Sequence, residues 1–134
     1  MSEGRDLLQR RIDEERQYAK EHFDVEFKAV GYLLAANAAG LAGCVTLLKD
    51  YATVPQLKGI GIFICLFGLG FILAVIGFIA LTIHRQTWLG AFLGGRSKEA
   101  NPVLYAIGAT VPNVLSGLLL CAAVLLMIGK FIWL

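Results

Sequence analysis

Charged residues vanish from three long stretches of this chain, 29 to 48, 59 to 83 and 100 to 129, which run for 20, 25 and 30 residues without Asp, Glu, Lys or Arg. A helix rises about 1.5 Å per residue, so roughly 20 apolar residues cross a hydrocarbon layer about 30 Å thick. Lipid offers the backbone no water to bond, and a helix meets that need internally. The pattern predicts an all-α integral membrane protein with three transmembrane helices, at about 29–48, 59–83 and 112–132.

The third span begins late because the last stretch contains Pro112. Proline lacks an N–H and crowds the preceding turn, so the helix should kink there or split into a short piece and a true crossing. Residues 86–111 read as an interfacial segment, with Trp88, Leu89, Phe92 and Leu93 ahead of Gly94 and Gly95 and Trp88 at headgroup level. Asn101 followed by Pro102 has the form of a helix N-cap and first helical residue. On the other side, the short loop up to Lys58 contains Pro55, and Trp133 beside Lys130 should anchor the last span.

Ahead of the first span the pattern changes. Leu8, Ile12, Ala19, Phe23 and Val30 recur at steps of four or seven. Opposite charges fall four apart at Asp6 and Arg10, Arg11 and Glu15, and Lys20 and Asp24. Each such pair contributes only about 0.2–0.5 kcal/mol, but no Gly or Pro interrupts residues 5 to 30. One continuous helix is expected from about residue 5 to 48, so that a charged amphipathic cytoplasmic helix, 1–28, runs into a three-helix transmembrane domain, 29–134. Residues 1–28 hold eight acids against six bases, a balance that suits a projecting stalk better than a helix lying on anionic lipid. Its apolar stripe, Leu8, Ile12 and Phe23, is then expected to dock another helix or a soluble cytoplasmic partner.

Charge also sets orientation. With three crossings, the N-terminal arm and the second loop share a side and carry nine Lys and Arg, against three in the first loop and C-terminus. The positive-inside rule places the N-terminus in the cytoplasm and the C-terminus outside. The charged start lacks the n-region and h-region of a cleavable signal peptide, so the first span is expected to act as its own insertion signal.

Composition agrees, with 57% hydrophobic residues and a mean hydropathy of +0.70. A net charge of +2 with acids and bases interspersed does not fit a nucleic-acid partner. Cys44, Cys65 and Cys121 all fall inside the uncharged stretches, far apart and away from His, as apolar packing residues do. Neither a disulfide framework nor a zinc site has this spacing.

The chemistry-bearing features are few. Small residues recur at helix-packing spacing: Ala35, Ala39 and Gly43 in the first span, Gly70, Ala74 and Gly77 in the second, and Gly117 in the third. Such stripes let helix backbones approach closely, which suits packing within a subunit and between subunits. Asn37 and Asn113 lie deep in the spans and must find hydrogen-bond partners, either across helices or, in a ring of subunits, along a water-filled path. No Asp, Glu, Lys or Arg occupies the interior of any span, as ion-coupled transport would require. Two His, three Ser and no glycine-rich phosphate loop argue against an enzyme. His22 and Glu26 share a helix face, but two ligands on a salt-bridged helix read as a solvated pair, so no metal or cofactor is expected.

In architecture alone, a charged helix running into several spans resembles small bacterial or phage membrane proteins, including defence-associated pore formers. Three-span phage holins differ in having the N-terminus outside and a basic cytoplasmic tail. The resemblance implies a bacterial inner membrane and carries over no residue role. Two functions follow as expectations. The first is an oligomeric structural or interaction subunit, assembled with itself or another membrane protein. The second is a homo-oligomeric pore or permeabilising effector.

Overall fold

The computed structural model describes residues 2–50, 54, 58–93 and 106–132, and among these the chain is helical with no strand. Helix α1 runs Ser2–Leu48 over 47 residues, or roughly 70 Å. Helix α2 spans Ile60–Leu93, and α3 spans Val111–Ile132 after a π-helical turn at Ala106–Thr110. All three are long and apolar enough to cross a membrane, over Asp6–Leu48, Ile60–Trp88 and Ile107–Lys130, which marks a membrane protein. Pro55, Gly94, Gly95, Asn101, Pro102 and Trp133 lie outside the described residues.

The helices zigzag, each antiparallel to the one before. Along α1 and α2, Phe23 meets Trp88 at a ring separation of 6.0 Å, Phe27 meets Phe78 at 5.4 Å, and Gly40 meets Phe67. On the return, Asn113 lies beside Gly77, Ser116 beside Gly70, and Lys130 beside Phe63. Helix α2 is the middle element, packed along both neighbours, while α1 and α3 touch each other much less.

Buried positions follow a seven-residue rhythm. On α1 they are Phe23, Val30, Asn37 and Cys44; on the π-helical turn and α3, Ala109, Ser116 and Ala123. On α2, facing both neighbours, they alternate by three and four through Ile60, Phe63, Phe67, Gly70, Ala74, Gly77 and Leu81. A repeat of 3.5 residues per turn is that of left-handed coiled-coil packing. It builds two apolar clusters, Phe23, Val30, Leu81 and Ala109 at one end and Cys44, Ile60, Phe63, Phe67 and Ala123 at the other.

Local chemistry explains the helix ends. Gly59 adopts φ +87°, open to glycine at little cost, and the Ile62 N–H donates to its carbonyl at 3.0 Å. Lys130 donates from α3 to the Lys58 carbonyl and lies 5.9 Å from the Phe63 ring, fastening the far end of α3 to the start of α2. At the other end of α3, Pro112 has no N–H for the Gly108 carbonyl, and the wider π-helical turn stands where an α-helical turn would have needed it. Of the interfacial segment expected over 86–111, residues 86–93 continue α2 unbroken to Leu93, 106–111 form the turn into α3, and the rest lies outside the described residues. The continuation of α2 has a tertiary reason: Phe23 packs edge-on against Trp88 and, at 6.0 Å, against His84.

Candidate functional site

The middle of the bundle is polar. Asn37 is 0% exposed, and its Nδ2 donates to its own-helix Leu33 carbonyl at 2.9 Å and to Ser116 Oγ of α3 at 3.2 Å. Ser116, also 0% exposed, passes its hydroxyl hydrogen to the Gly70 carbonyl of α2 at 2.8 Å. This chain of hydrogen bonds joins all three helices in one layer, between the two apolar clusters.

Two glycines make room for the amides. A Cβ on Gly70 would collide with Asn37 Oδ1, and one on Gly77 with Asn113 Oδ1. Neither amide oxygen has a hydrogen-bond partner among the described residues, and both are buried. Each rests instead against a glycine backbone, the setting of a weak Cα–H···O contact. Gly40 admits the Phe67 ring edge in the same way.

The small residues singled out in the sequence divide by helix. Gly70, Ala74 and Gly77 are buried in the seam, and Gly117 is half-buried, where an added Cβ would meet Leu33 in ordinary contact. Ala35, Ala39 and Gly43 are exposed and face away from α2, and a Cβ on Gly43 would meet nothing within 4 Å. Of the apolar stripe on the charged segment, Phe23 is buried against α2, Ile12 is half-buried and Leu8 is exposed. Pro112 stands in the first turn of α3. Cys44 is buried, Cys65 and Cys121 are exposed, and all three are free thiols.

At the level of the charged boundary, aromatic and ionic groups gather on α1 and α2. The Arg85 guanidinium lies 5.4 Å from the Phe27 ring centre, and His22 Nδ1 is 3.5 Å from Glu26 Oε1. Between α1 and α3 a crevice of about 260 Å³ is bounded by Glu26, Leu33, Thr110 and Asn113. Among the described residues no three His, Cys, Asp or Glu side chains converge as metal ligands would. What the arrangement provides among the described residues is helix packing around a buried polar layer.

Sequence reasoning missed Ser116. No family model, curated protein or solved structure matches this chain.

Proposed function

We propose that this chain is a subunit of a homo-oligomeric membrane assembly, a structural or interaction component rather than an enzyme, and that α1 is its assembling helix. One contrast carries the reading. The exposed faces of α2 and α3 are bulky, with Ile62, Leu69 and Ile76 on one and Val114, Leu118 and Leu125 on the other. The exposed face of α1 between residues 35 and 43 is built from Ala35, Ala36, Ala38, Ala39, Ala42 and Gly43. Branched aliphatic side chains suit lipid tails, whereas small ones suit another helix, because association in lipid depends on close backbone approach.

The charged segment extends this assembly beyond the bilayer. Ile12 precedes Phe23 by eleven residues, three helical turns, so the seam of α1 continues past the part that α2 covers. In the inner-membrane orientation favoured by the Lys and Arg distribution, that extension faces the cytoplasm and offers Leu8 and Ile12 to a soluble partner. A pore is the second reading. Asn37 and Ser116 direct their polar groups into the seam of their own subunit, which favours assembly over conduction.

The test is particle mass in a mild detergent or nanodisc. Wild-type protein should run as a fixed multiple of 14.5 kDa, and Ala39→Leu with Gly43→Leu should reduce it to the monomer while leaving helicity intact. A monomeric wild type, or a double variant of unchanged mass, overturns the proposal.

A further inference from the structure

The side of α1 that faces away from α2 carries a repeat of its own. Phe23, Val30, Asn37 and Cys44, seven apart, mark the side turned into the bundle. Two positions on from Phe23, about 200° round the helix, a second series begins. Val25, Tyr32 and Ala39 follow by sevens, with Tyr18 one heptad before them, and Glu21, Lys28, Ala35 and Ala42 interleave at steps of three and four. Every one of these positions is exposed. They form the a and d positions of a heptad seam, and the buried series holds the f position behind it. Leu7 joins the same seam, which runs from residue 7 to residue 42 and thus covers five heptads. Its large apolar members, Leu7, Tyr18, Val25 and Tyr32, are each at least 64% exposed. Apolar residues scattered singly on a surface need no explanation, but these keep phase with the small face of the span across the charged boundary.

We propose that this face is covered by the same face of a second copy, so that α1 helices of neighbouring subunits run side by side as a parallel coiled coil from the span into the cytoplasm. The proposal rests on the homo-oligomeric reading and deepens it by naming the contact outside the bilayer. Three observations select a second copy as the occupant. Copies inserted the same way present parallel α1 helices, and once Ala35, Ala39 and Ala42 bring two together, one unbroken helix carries Val25 and Tyr18 to their counterparts in register. A recess on the arm is lined by Tyr18, Glu21, His22 and Val25, with Glu26 beside them, all from α1. The spacing of those four, i, i+3, i+4 and i+7, is that of the hole which receives a knob from a facing helix. From a parallel helix in register that knob is Glu21 of the second copy, whose carboxylate then lies beside His22. The positions flanking the seam are also complementary, since Arg10 of one copy meets Glu15 of the other across a parallel pair. Glu14, Glu21 and Lys28 within the seam cost stability and fix its register, so the arms pair because the spans hold them together.

Disulfide cross-linking of the full-length protein in nanodiscs tests this. In a Cys44→Ala, Cys65→Ala, Cys121→Ala background, single cysteines are placed on the seam, as Tyr18→Cys or Val25→Cys, and behind it in the register of Phe23, as Arg16→Cys or Gln9→Cys. Oxidation should link the seam positions into dimers several-fold more than the positions behind, because a disulfide needs Cα atoms within about 7 Å of each other. In protein with its native cysteines, Tyr18→Glu with Val25→Glu should raise several-fold the concentration at which the oligomer half-dissociates in detergent. This second measurement does not depend on removing the cysteines. Equal linking on the two sides of the helix overturns the proposal, as does unaltered dissociation of the double variant. An oligomer of fixed mass with no link at position 18 or 25 overturns it and leaves the assembly of the spans standing, with the arms splayed and their faces open to another protein. A monomeric wild type overturns both readings, and particle mass separates that case from the last.

Discussion

Gly70 and Gly77 stand one heptad apart on α2, and each makes room for an amide from a different neighbour, Asn37 on α1 and Asn113 on α3. A side chain at either glycine would displace an amide from its place in the bundle. Gly70→Ala is therefore expected to destabilise the fold by about 1–3 kcal/mol, the usual cost of overpacking. Asn37→Ala should cost about 1 kcal/mol through lost hydrogen bonds, and more if the space stays empty. Combined, the two changes should cost at least about 1 kcal/mol less than their sum, because the added methyl then occupies the vacated space. Reversible unfolding in mixed micelles measures all three, and strict additivity would sink the account. Asn37 was legible in the sequence because an amide deep in a span needs a partner. Ser116 was not, because a hydroxyl in a helix can satisfy itself on its own backbone, as Thr46, Thr82 and Thr87 do with the carbonyls of Ala42, Phe78 and Ile83.

At the scale of the helices, the charged part of α1 sets the phase for the apolar part. Residues 29 to 48 are apolar on every side, so their own pattern does not say which face turns inward. Phe23 and Val30 belong to a stripe that does, and continuing it by sevens reaches Asn37 and Cys44, the two positions buried beyond them. The same phase turns Ala35, Ala39 and Gly43 outward, which small size alone could not decide. The second helix runs on past His84 and Arg85 to Leu93, with Phe23 and Phe27 of α1 packed on that pair. Phe23 is thus the joint between the charged segment of α1 and the far end of α2. Phe23→Ala should cost about 3 kcal/mol, toward the lower end for a core aromatic, since the site lies at the bundle's edge. Trp88, read alone in a Trp133→Phe background, should become several-fold more accessible to a water-soluble quencher. Unchanged quenching would mean that the two helices are not held together there.

For the whole molecule, the zigzag puts unlike chemistry at its two ends. Glu26, Arg85 and Trp88 gather at one, and the Lys130 contact to the Lys58 carbonyl closes the other. The distribution of Lys and Arg then predicts which end faces the cytoplasm. The first end carries nine basic residues across the N-terminal arm and second loop, and the opposite side carries three. Insertion leaves the more basic flank inside, where the membrane potential and the anionic leaflet both favour it. A phosphatase reporter that works only outside the cytoplasm should therefore be active when fused after residue 134 and silent when fused before residue 2. The margin of six basic residues makes this orientation insensitive to any single charge change. The reverse pattern of reporter activity would turn the exposed Leu8 and the half-buried Ile12 away from every cytoplasmic partner. Orientation and partner side thus stand or fall on one measurement, because α1 carries the basic flank and the apolar stripe along a single continuous helix.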